Sequence, residues 1–308
     1  MINVNYNWKE YLYNYPDLIV AGIKDEESAK KHWINHGKKE NRIPYKIDYF
    51  KYINDVPCKL EDIIYENKKD KILVQSFWYG KELSNIEVLC INSFLKTGHI
   101  FHLYCYENVK NVPNGTVIKD ASEILNKEDI FFYGGKDQKG SVSAFSNMFR
   151  YKLLLDKGGY WVDMDMVCLR QLDINKKYVF SSEVDINGKE YINAGIIKVP
   201  KNSDFAKYAY QYTKDVNKDM LKWGKIGPNL VSETVKKYNL LKYVRRPEFS
   251  CPLHYCHLLK IIENNDITMY KNTYCIHMWN QWWNRLNLDK NGIYKSSSFF
   301  EKLKNRYN

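Results

Sequence analysis

Two aspartates one residue apart, Asp163 and Asp165, are the side chains of this 308-residue sequence that point most directly to chemistry. They follow the short apolar run YWV and a double glycine, which predict a strand that begins straight after a turn. Alternate residues of a strand share a face, so both carboxylates are predicted to face one cleft. Such a pair can hold a hard divalent cation together with water and diphosphate oxygens. From 19 aspartates about one such triplet is expected by chance, and a solvated turn is the alternative interpretation.

The segments that must position the acid pair alternate between strand and helix patterns. Three strands are predicted from apolar or alternating runs, at 71–80, 101–107 and 116–120. The spacing of apolar residues predicts a helix within 83–99, and another that carries Arg150 and ends at Gly158 and Gly159. Strand, helix and strand at this spacing predict a βαβ unit, and therefore an α/β domain.

Residues 146–165, SNMFRYKLLLDKGGYWVDMD, resemble the signature SDxxRYxxLxxxGGxYxDxD of sugar transferases that contain a DxD motif. The sequence is similar to glycosyltransferase family 32 and, more distantly, to the glucosyltransferase domain of large clostridial toxins. The likeness includes QSFWYG before the signature and INAGIIKVP, GKIGPNL and IHMWNQWW after it, and it covers roughly residues 70–285. It implies a GT-A-type, Rossmann-like domain that binds a nucleotide sugar.

The resemblance implies a role for each residue that matches the metal and diphosphate site. Asp165 is implied as the direct ligand of Mn²⁺ or Mg²⁺. Asp163 is implied to reach the donor ribose and sugar, and to contact the metal through water. Arg150 is implied to bind the donor sugar and diphosphate, whose oxygens suit the bidentate guanidinium. His277 is implied as a third metal ligand or as a donor to a phosphate, and the alternative is a satisfied histidine in an aromatic cluster.

The resemblance also implies a set of donor-binding residues. Trp78 matches the aromatic side chain that packs on the nucleotide base, alongside Gln75 and Ser76, and an ordinary core tryptophan is its alternative interpretation. Asn147 stands where the family usually has an aspartate that binds hydroxyls of the donor sugar, so the sugar preference is expected to differ. Trp161 stands where tyrosine is common, which keeps an aromatic wall and replaces a hydroxyl by an indole N–H.

Later segments are implied to complete the site. Asn193 is the candidate on the sugar and acceptor side, and Glu183 is a weaker candidate because solvated loop glutamates are common. The turn Gly227-Pro228 is implied to let the backbone approach the substrates. Trp279 belongs to the HxWN element that is implied to close over the diphosphate.

The first 47 residues predict a small helical module. One helix is expected before Pro16, and a second over 25–36 with Asp25 as its N-cap. The predicted organisation is a helical module at 1–47, a GT-A domain at 70–285 and a helical tail at 286–308.

Composition excludes several classes of protein. The net charge is +11, but only seven of the 47 basic residues are arginines and the lysines are spread along the chain, so nucleic acid is not an expected partner. The seven cysteines form no CxxC pair, and HYCH at 254–257 lacks a second pair, so reduced thiols in a cytosol-like compartment are predicted rather than a disulfide frame or a zinc site. Neither a membrane span nor a signal peptide is predicted.

The predicted function is metal-dependent transfer of a hexose from a nucleotide diphosphate sugar to a hydroxyl of a glycan, and the resemblance implies retention at the anomeric carbon. UDP is the expected nucleotide, with GDP second, and the cytoplasm is the expected location. The alternative is a non-catalytic carbohydrate- or nucleic-acid-binding protein on a transferase-like fold. The intact acid pair, Arg150 and HxWN motif argue against that alternative.

Overall fold

The computed structural model of the chain describes residues 6–50, 53, 55–64, 70–134, 140–173, 175–263 and 267–308. Its helices are α1 (Trp8–Asn14), α2 (Pro16–Val20), α3 (Glu26–His32), α4 (Asn85–Lys96), α5 (Ser143–Asp156), α6 (Asp204–Asp215), α7 (Pro228–Lys237), α8 (Leu258–Glu263), α9 (Asn280–Arg285) and α10 (Phe299–Tyr307). Its strands are β1 (Pro57–Cys58), β2 (Ile72–Phe77), β3 (His99–Cys105), β4 (Val117–Asp120), β5 (Gly159–Val162), β6 (Met166–Cys168), β7 (Val179–Val184), β8 (Glu190–Val199), β9 (Met269–Tyr270) and β10 (Cys275–His277). None of the described helices is both long enough and apolar enough to cross a membrane.

Six strands form the central sheet in the order β4-β3-β2-β5-β8-β7. Strands β2, β3, β4 and β5 run parallel, whereas β8 is antiparallel to both β5 and β7. The α/β fold class predicted from the sequence is therefore confirmed. Since β2 and β5 are parallel neighbours, the residues that follow them meet at one edge of the sheet, where open α/β sheets bind ligands.

Helices cover both faces of this sheet. Tyr160 and Trp161 are adjacent on β5 and point to opposite faces, and both are about 1% exposed. Trp161 belongs to the apolar cluster that includes residues of α5, α6 and α7, whereas Tyr160 belongs to the cluster that includes residues of α4. Burial on both faces explains why β5 appears in the sequence as the continuous apolar run YWV.

The double glycine connects α5 directly to β5. Gly158 and Gly159 have φ values of +69° and +83°, which favour glycine. A Cβ on Gly158 would lie 2.4 Å from the backbone nitrogen of Lys201, so the turn leaves no room for a side chain. The turn fixes the position at which β5 starts. It thereby also fixes the position of Asp163, which directly follows the last residue of β5.

One detail of the predicted acid pair is wrong. Strand β5 ends at Val162, and Asp163 to Asp165 form a turn in which the Met166 amide donates to the Asp163 carbonyl at 3.2 Å. The two carboxylates are therefore not alternate residues of one strand. Their directions are set by separate partners.

Strand β6 leaves this turn and pairs with β10 from the end of the chain. The antiparallel register places His277 opposite Met166 and Cys275 opposite Cys168. The amide of Met278 also donates to the carbonyl of Asp165 at 2.9 Å. This pairing brings the HxWN segment to the acid pair.

The N-terminal helices have an apolar cluster of their own. It contains Tyr11, Leu12, Leu18, Ala29 and Trp33. The predicted N-cap is confirmed, because the Asp25 carboxylate accepts from the Ser28 amide at 2.9 Å. The helix that begins there continues as a single π turn over Trp33–Gly37.

This helical region is also tied to α8 of the main body. Lys260 lies 2.9 Å from the Glu10 carboxylate, and the Tyr13 hydroxyl donates to Glu263.

At the other end of the chain, Phe299 and Leu303 of α10 share an apolar cluster with Leu89 of α4. The unit limits at 47, 70, 285 and 286 stay predictions.

Candidate active site

Arg150 lies at the centre of the candidate site, on α5. Its guanidinium donates from Nη2 to Asp163 Oδ1 at 2.6 Å and from Nη1 to Asn147 Oδ1, which lies one helical turn earlier. The guanidinium carbon lies 4.9 Å from the centre of the Trp161 ring, and the Trp161 indole donates to the same Asp163 oxygen at 2.7 Å. Four predicted residues are thus brought together. Because the buried guanidinium donates to both a carboxylate and a side-chain amide, it is held in one orientation.

Asp165 is held by a different group of residues. Its Oδ2 accepts from the Asn280 amide at 2.8 Å and lies 3.2 Å from His277 Nε2. Burial disfavours charge on His277, but the neighbouring carboxylate outweighs this effect and raises the pKa of the imidazole. For the Asp165 carboxyl, burial is likewise outweighed by His277, and its pKa is lowered. The two side chains therefore form an ion pair at neutral pH.

Trp279 keeps the His277 ring in place. The two rings stack with their centres 3.9 Å apart, and the Trp279 indole donates to the Leu253 carbonyl at 2.9 Å. Trp279 adopts a left-handed backbone conformation with φ of +55°, which is uncommon for a bulky residue. Such strain persists where surrounding contacts over-determine the conformation, and it often marks a functional segment.

Asn193 and Glu183 face each other across strands β7 and β8. The Asn193 amide donates to Glu183 Oε2 at 2.9 Å, and the Tyr191 hydroxyl donates to Glu183 Oε1. Burial raises the pKa of Glu183. Glu183 is only 8% exposed, so the interpretation that it is a solvated loop glutamate is wrong.

The residues predicted to hold the base lie at the end of β2. Trp78 is half-buried, and its indole donates to the Glu82 carbonyl at 3.2 Å. Gln75 is buried and donates to the Gly158 carbonyl at 2.8 Å, so it supports the double-glycine turn. Ser76 is also buried, and its hydroxyl has no hydrogen-bond partner among the described residues. Of these three, Trp78 alone is partly open to a ligand.

The three predicted metal ligands, Asp163, Asp165 and His277, are divided between two ion pairs and do not form one cluster. Asp163 is bound to Arg150, while Asp165 is bound to His277. Over the described ranges, the group of three potential ligand atoms that lie within 4.8 Å of one another belongs to Glu183, Cys251 and His277.

Sequence reasoning missed two residues at this site. The first is Cys251, whose Sγ atom lies 3.8 Å from His277 Nδ1, although the two residues are 26 positions apart. Nothing in the sequence around Cys251 signals this contact. Asn280 binds Asp165 through its backbone and donates from its side chain to Glu87 at 2.9 Å. Its place in the HxWN motif was the available signal.

The backbone of the turn at Gly227 lies against Asn147 and bounds that side of the site. A Cβ on Gly227 would lie 3.3 Å from Asn147 Nδ2, so the glycine allows a close approach. The Tyr151 hydroxyl donates to the Ile226 carbonyl at 3.0 Å and ties this turn to α5. The turn predicted at Gly227-Pro228 therefore lies against a candidate residue.

Part of the chain matches the model of a known protein family. Residues 62–181 match the family model described as "Glycosyltransferase sugar-binding region containing DXD motif". The match includes Arg150 and the acid pair and ends before Asn193 and His277. No curated protein matches the chain.

Solved transferases resemble the chain with low identity. The PaToxG glycosyltransferase is 10% identical with a TM-score of 0.39, over 97% of this chain and 95% of that one. A transferase with two cysteines replaced by serine is 16% identical with a TM-score of 0.36, over 70% and 96% of the two chains. The glycosyltransferase GlyE of Streptococcus pneumoniae TIGR4 is 11% identical with a TM-score of 0.32, over 77% and 63%. The similarity of the chain to known families is therefore that of residues 62–181 to the DXD-containing sugar-binding region of glycosyltransferases.

Proposed function

We propose that the chain is a metal-dependent, retaining glycosyltransferase that moves a hexose from a UDP-sugar to a hydroxyl of a glycan. The observation that carries the proposal is the pair of bonds from Arg150 to Asp163 and Asn147, beside the Asp165–His277 pair. The match of residues 62–181 to the DXD-containing region supports the same class of reaction.

Arg150 is the residue that we expect to meet the negative charge of the donor. Arg150 is 4% exposed, and its Nε atom is buried without a hydrogen-bond partner among the described residues. Donors that are already oriented cost no rearrangement when charge grows on a leaving diphosphate. Asn147 and Asp163 hold this orientation and are also suited to bind hydroxyls of the donor sugar.

The donor set at the acid pair fits Mn²⁺ or Mg²⁺. Carboxylate oxygens are the ligands that these cations prefer, and Asp163 receives Arg150 and Trp161 on Oδ1 alone, which leaves Oδ2 for another partner. Asp165 and His277 are each about one-tenth exposed at the side chain. Asp163, Asp165 and His277 would hold the cation, which would supply charge neutralisation for the diphosphate.

Trp78 is the residue that we expect to bind the uracil base. It follows β2, the parallel neighbour of β5, so it lies at the same edge of the sheet as the acid pair. An aromatic ring that is partly open offers a stacking surface to any base. UDP is proposed ahead of GDP because of the resemblance of residues 146–165 to the transferase signature.

A donor-hydrolysis screen tests the proposal. Purified protein is incubated with UDP- and GDP-sugars, with Mn²⁺ or with EDTA, and released nucleotide is measured. We expect hydrolysis of at least one UDP-sugar in Mn²⁺, and its loss in EDTA and in Asp165→Asn. The matched control is Asp129→Asn, the same change at an exposed position, which should keep the wild-type rate. Hydrolysis that is equal in EDTA, or absent with every donor, would contradict the proposal.

A further inference from the structure

We propose that Glu183, Cys251 and His277 form a binding site for a thiophilic divalent cation, Zn²⁺, that is separate from the acid pair. The three residues come from β7, from the loop before α8 and from β10. The proposal assigns His277 to this site, so the acid-pair cation of the proposed transferase would then be held by Asp163 and Asp165. Its test measures metal binding by these side chains and does not depend on transferase activity.

The distances between the ligand atoms suit a tetrahedral cation. One ligand atom from each residue lies within 4.8 Å of the other two, and Cys251 Sγ is 3.8 Å from His277 Nδ1. Zinc bonds of about 2.3 Å to sulfur and about 2.1 Å to nitrogen, at a tetrahedral angle, separate these two atoms by about 3.6 Å. The sulfur and nitrogen are therefore almost at the required separation, and the Glu183 carboxylate needs only a small approach.

The side chains around the ligands orient them as the outer shell of a metal site does. Asp165 lies 3.2 Å from His277 Nε2, which leaves Nδ1 to face Cys251. A carboxylate on the second nitrogen of a ligating histidine is the common arrangement in zinc proteins. Asn193 donates to Glu183 at 2.9 Å and to the Cys251 sulfur at 3.2 Å, so one amide positions two ligands.

The chemistry of the ligands favours zinc over the cations expected at the acid pair. Thiolate and imidazole select Zn²⁺, whereas Mg²⁺ and Mn²⁺ favour oxygen ligands. Cys251 is 2% exposed and Glu183 is 8% exposed, so an ion here would be almost out of water. A thiolate and a carboxylate together balance the two charges of the cation, which meets the need for paired charge in a buried site.

Zinc at this site would also restrict His277. With Nδ1 on the cation, Nε2 keeps its proton and donates to Asp165. The imidazole is then not free to serve a second cation at the acid pair. Three protein ligands leave a fourth position for water or a small anion, as in zinc sites with an open position.

Cobalt substitution tests this proposal with the full-length protein. The chain is purified under reducing conditions, treated with chelator and titrated with Co²⁺. We expect one equivalent to bind with a thiolate-to-cobalt charge-transfer absorption that Zn²⁺ displaces. Cys251→Ser should lose this absorption, whereas Cys256→Ser, the same change at another buried cysteine, should retain it. Thermal unfolding checks that each variant is folded.

A second variant keeps the proposal testable if Cys251→Ser does not fold. Glu183→Gln preserves the shape of the side chain and should weaken Zn²⁺ binding about tenfold or more in competition with a chromophoric chelator. Wild-type protein without the charge-transfer absorption, or the same absorption in Cys251→Ser, would overturn the proposal. Unchanged zinc affinity in Glu183→Gln would overturn it as well.

Discussion

Arg150 has two hydrogen-bond partners and an aromatic ring that fix its guanidinium before any substrate arrives. Its two bonds and the Trp161 ring leave it one orientation. A lysine at this position would place one point charge where the guanidinium now reaches two oxygens. The residue is therefore suited to a role that depends on geometry as well as charge.

Arg150→Lys should lower kcat for donor hydrolysis more than it raises KM. The reason is that negative charge grows on the diphosphate in the transition state, and an interaction that strengthens there appears in kcat. A loss on the order of 100-fold corresponds to one preorganised donor. Steady-state kinetics over a range of UDP-sugar concentrations measure both constants. An effect confined to KM would mean that Arg150 binds the ground state and transition state equally.

Trp78→Ala should weaken UDP and the UDP-sugar by the same factor. Stacking on a base is worth about 1–3 kcal/mol, so affinity should fall about 5- to 150-fold with little change in kcat. Calorimetry with UDP and with the UDP-sugar in Mn²⁺ measures the two affinities. Trp223→Ala, at a tryptophan that is 59% exposed, is the control for loss of an indole. If Trp78→Ala lowers only kcat, the base lies elsewhere.

At the scale of elements, His99 joins the start of β3 to the segment after β6. The Leu172 amide donates to His99 Nε2 at 3.2 Å, so the ring proton lies on Nδ1, which is 3.1 Å from the Phe94 carbonyl. Burial lowers the pKa of His99 to about 4. The folded protein therefore holds this histidine neutral.

Acid should remove the stability that His99 provides. An unfolded histidine titrates near 6.5, so the contribution is complete above about pH 6.5 and is lost as the pH falls towards 4. A shift of this size is worth about 3 kcal/mol. We expect urea unfolding to show that the stability gap between wild type and His99→Gln narrows from pH 7 to pH 4.5. A gap of constant size would show that His99 is not the group that titrates.

The elements that were predicted from the sequence are those whose signals are local. Strand β2, helix α4, the double glycine and the N-cap at Asp25 each depend on neighbours within a few residues. The pairing of β6 with β10 depends on residues more than 100 positions apart, and no local pattern specifies it. The residue type of His277 and its place in the HxWN motif indicated that it belongs to the site. Its contact with Cys251 is a tertiary contact that no local pattern specifies, so it was not predictable.

The acid pair shows a second limit of sequence reasoning. Alternation along a strand predicted that both carboxylates share a face, but β5 ends at Val162, before either aspartate, so the rule does not apply to them. Arg150 and His277 orient the two carboxylates instead. The residue types at the site follow from the motif, whereas their directions follow from tertiary contacts.

At the scale of the whole molecule, the N-terminal helices are far in sequence from every candidate residue. Their own apolar cluster and their ties to α8 suggest a unit that supports the main body from outside the site. No candidate site residue belongs to them.

Removal of residues 1–45 should leave donor hydrolysis largely unchanged and lower the melting temperature. The loss of Tyr13 and Glu10 uncovers Glu263 and Lys260 on α8, which costs stability but touches no site residue. Trp33→Ala, which removes a large buried side chain from the N-terminal cluster, is the matched point variant and should likewise lower the melting temperature and leave hydrolysis largely unchanged. A truncated chain that folds but no longer hydrolyses donor would show that these helices help to build the site.

The antiparallel pairing of β10 with β6 has a consequence for the timing of protein synthesis. The ribosome synthesises Asp163 and Asp165 more than 100 residues before His277, Trp279 and Asn280. While translation continues, the Asp165 carboxylate has neither its imidazole partner nor the Asn280 amide, so the nascent polypeptide carries an incomplete site. We therefore expect a stalled nascent chain that ends before residue 275 to bind nucleotide sugar poorly, and binding to appear only in stalled chains in which residues 275–280 have left the ribosome.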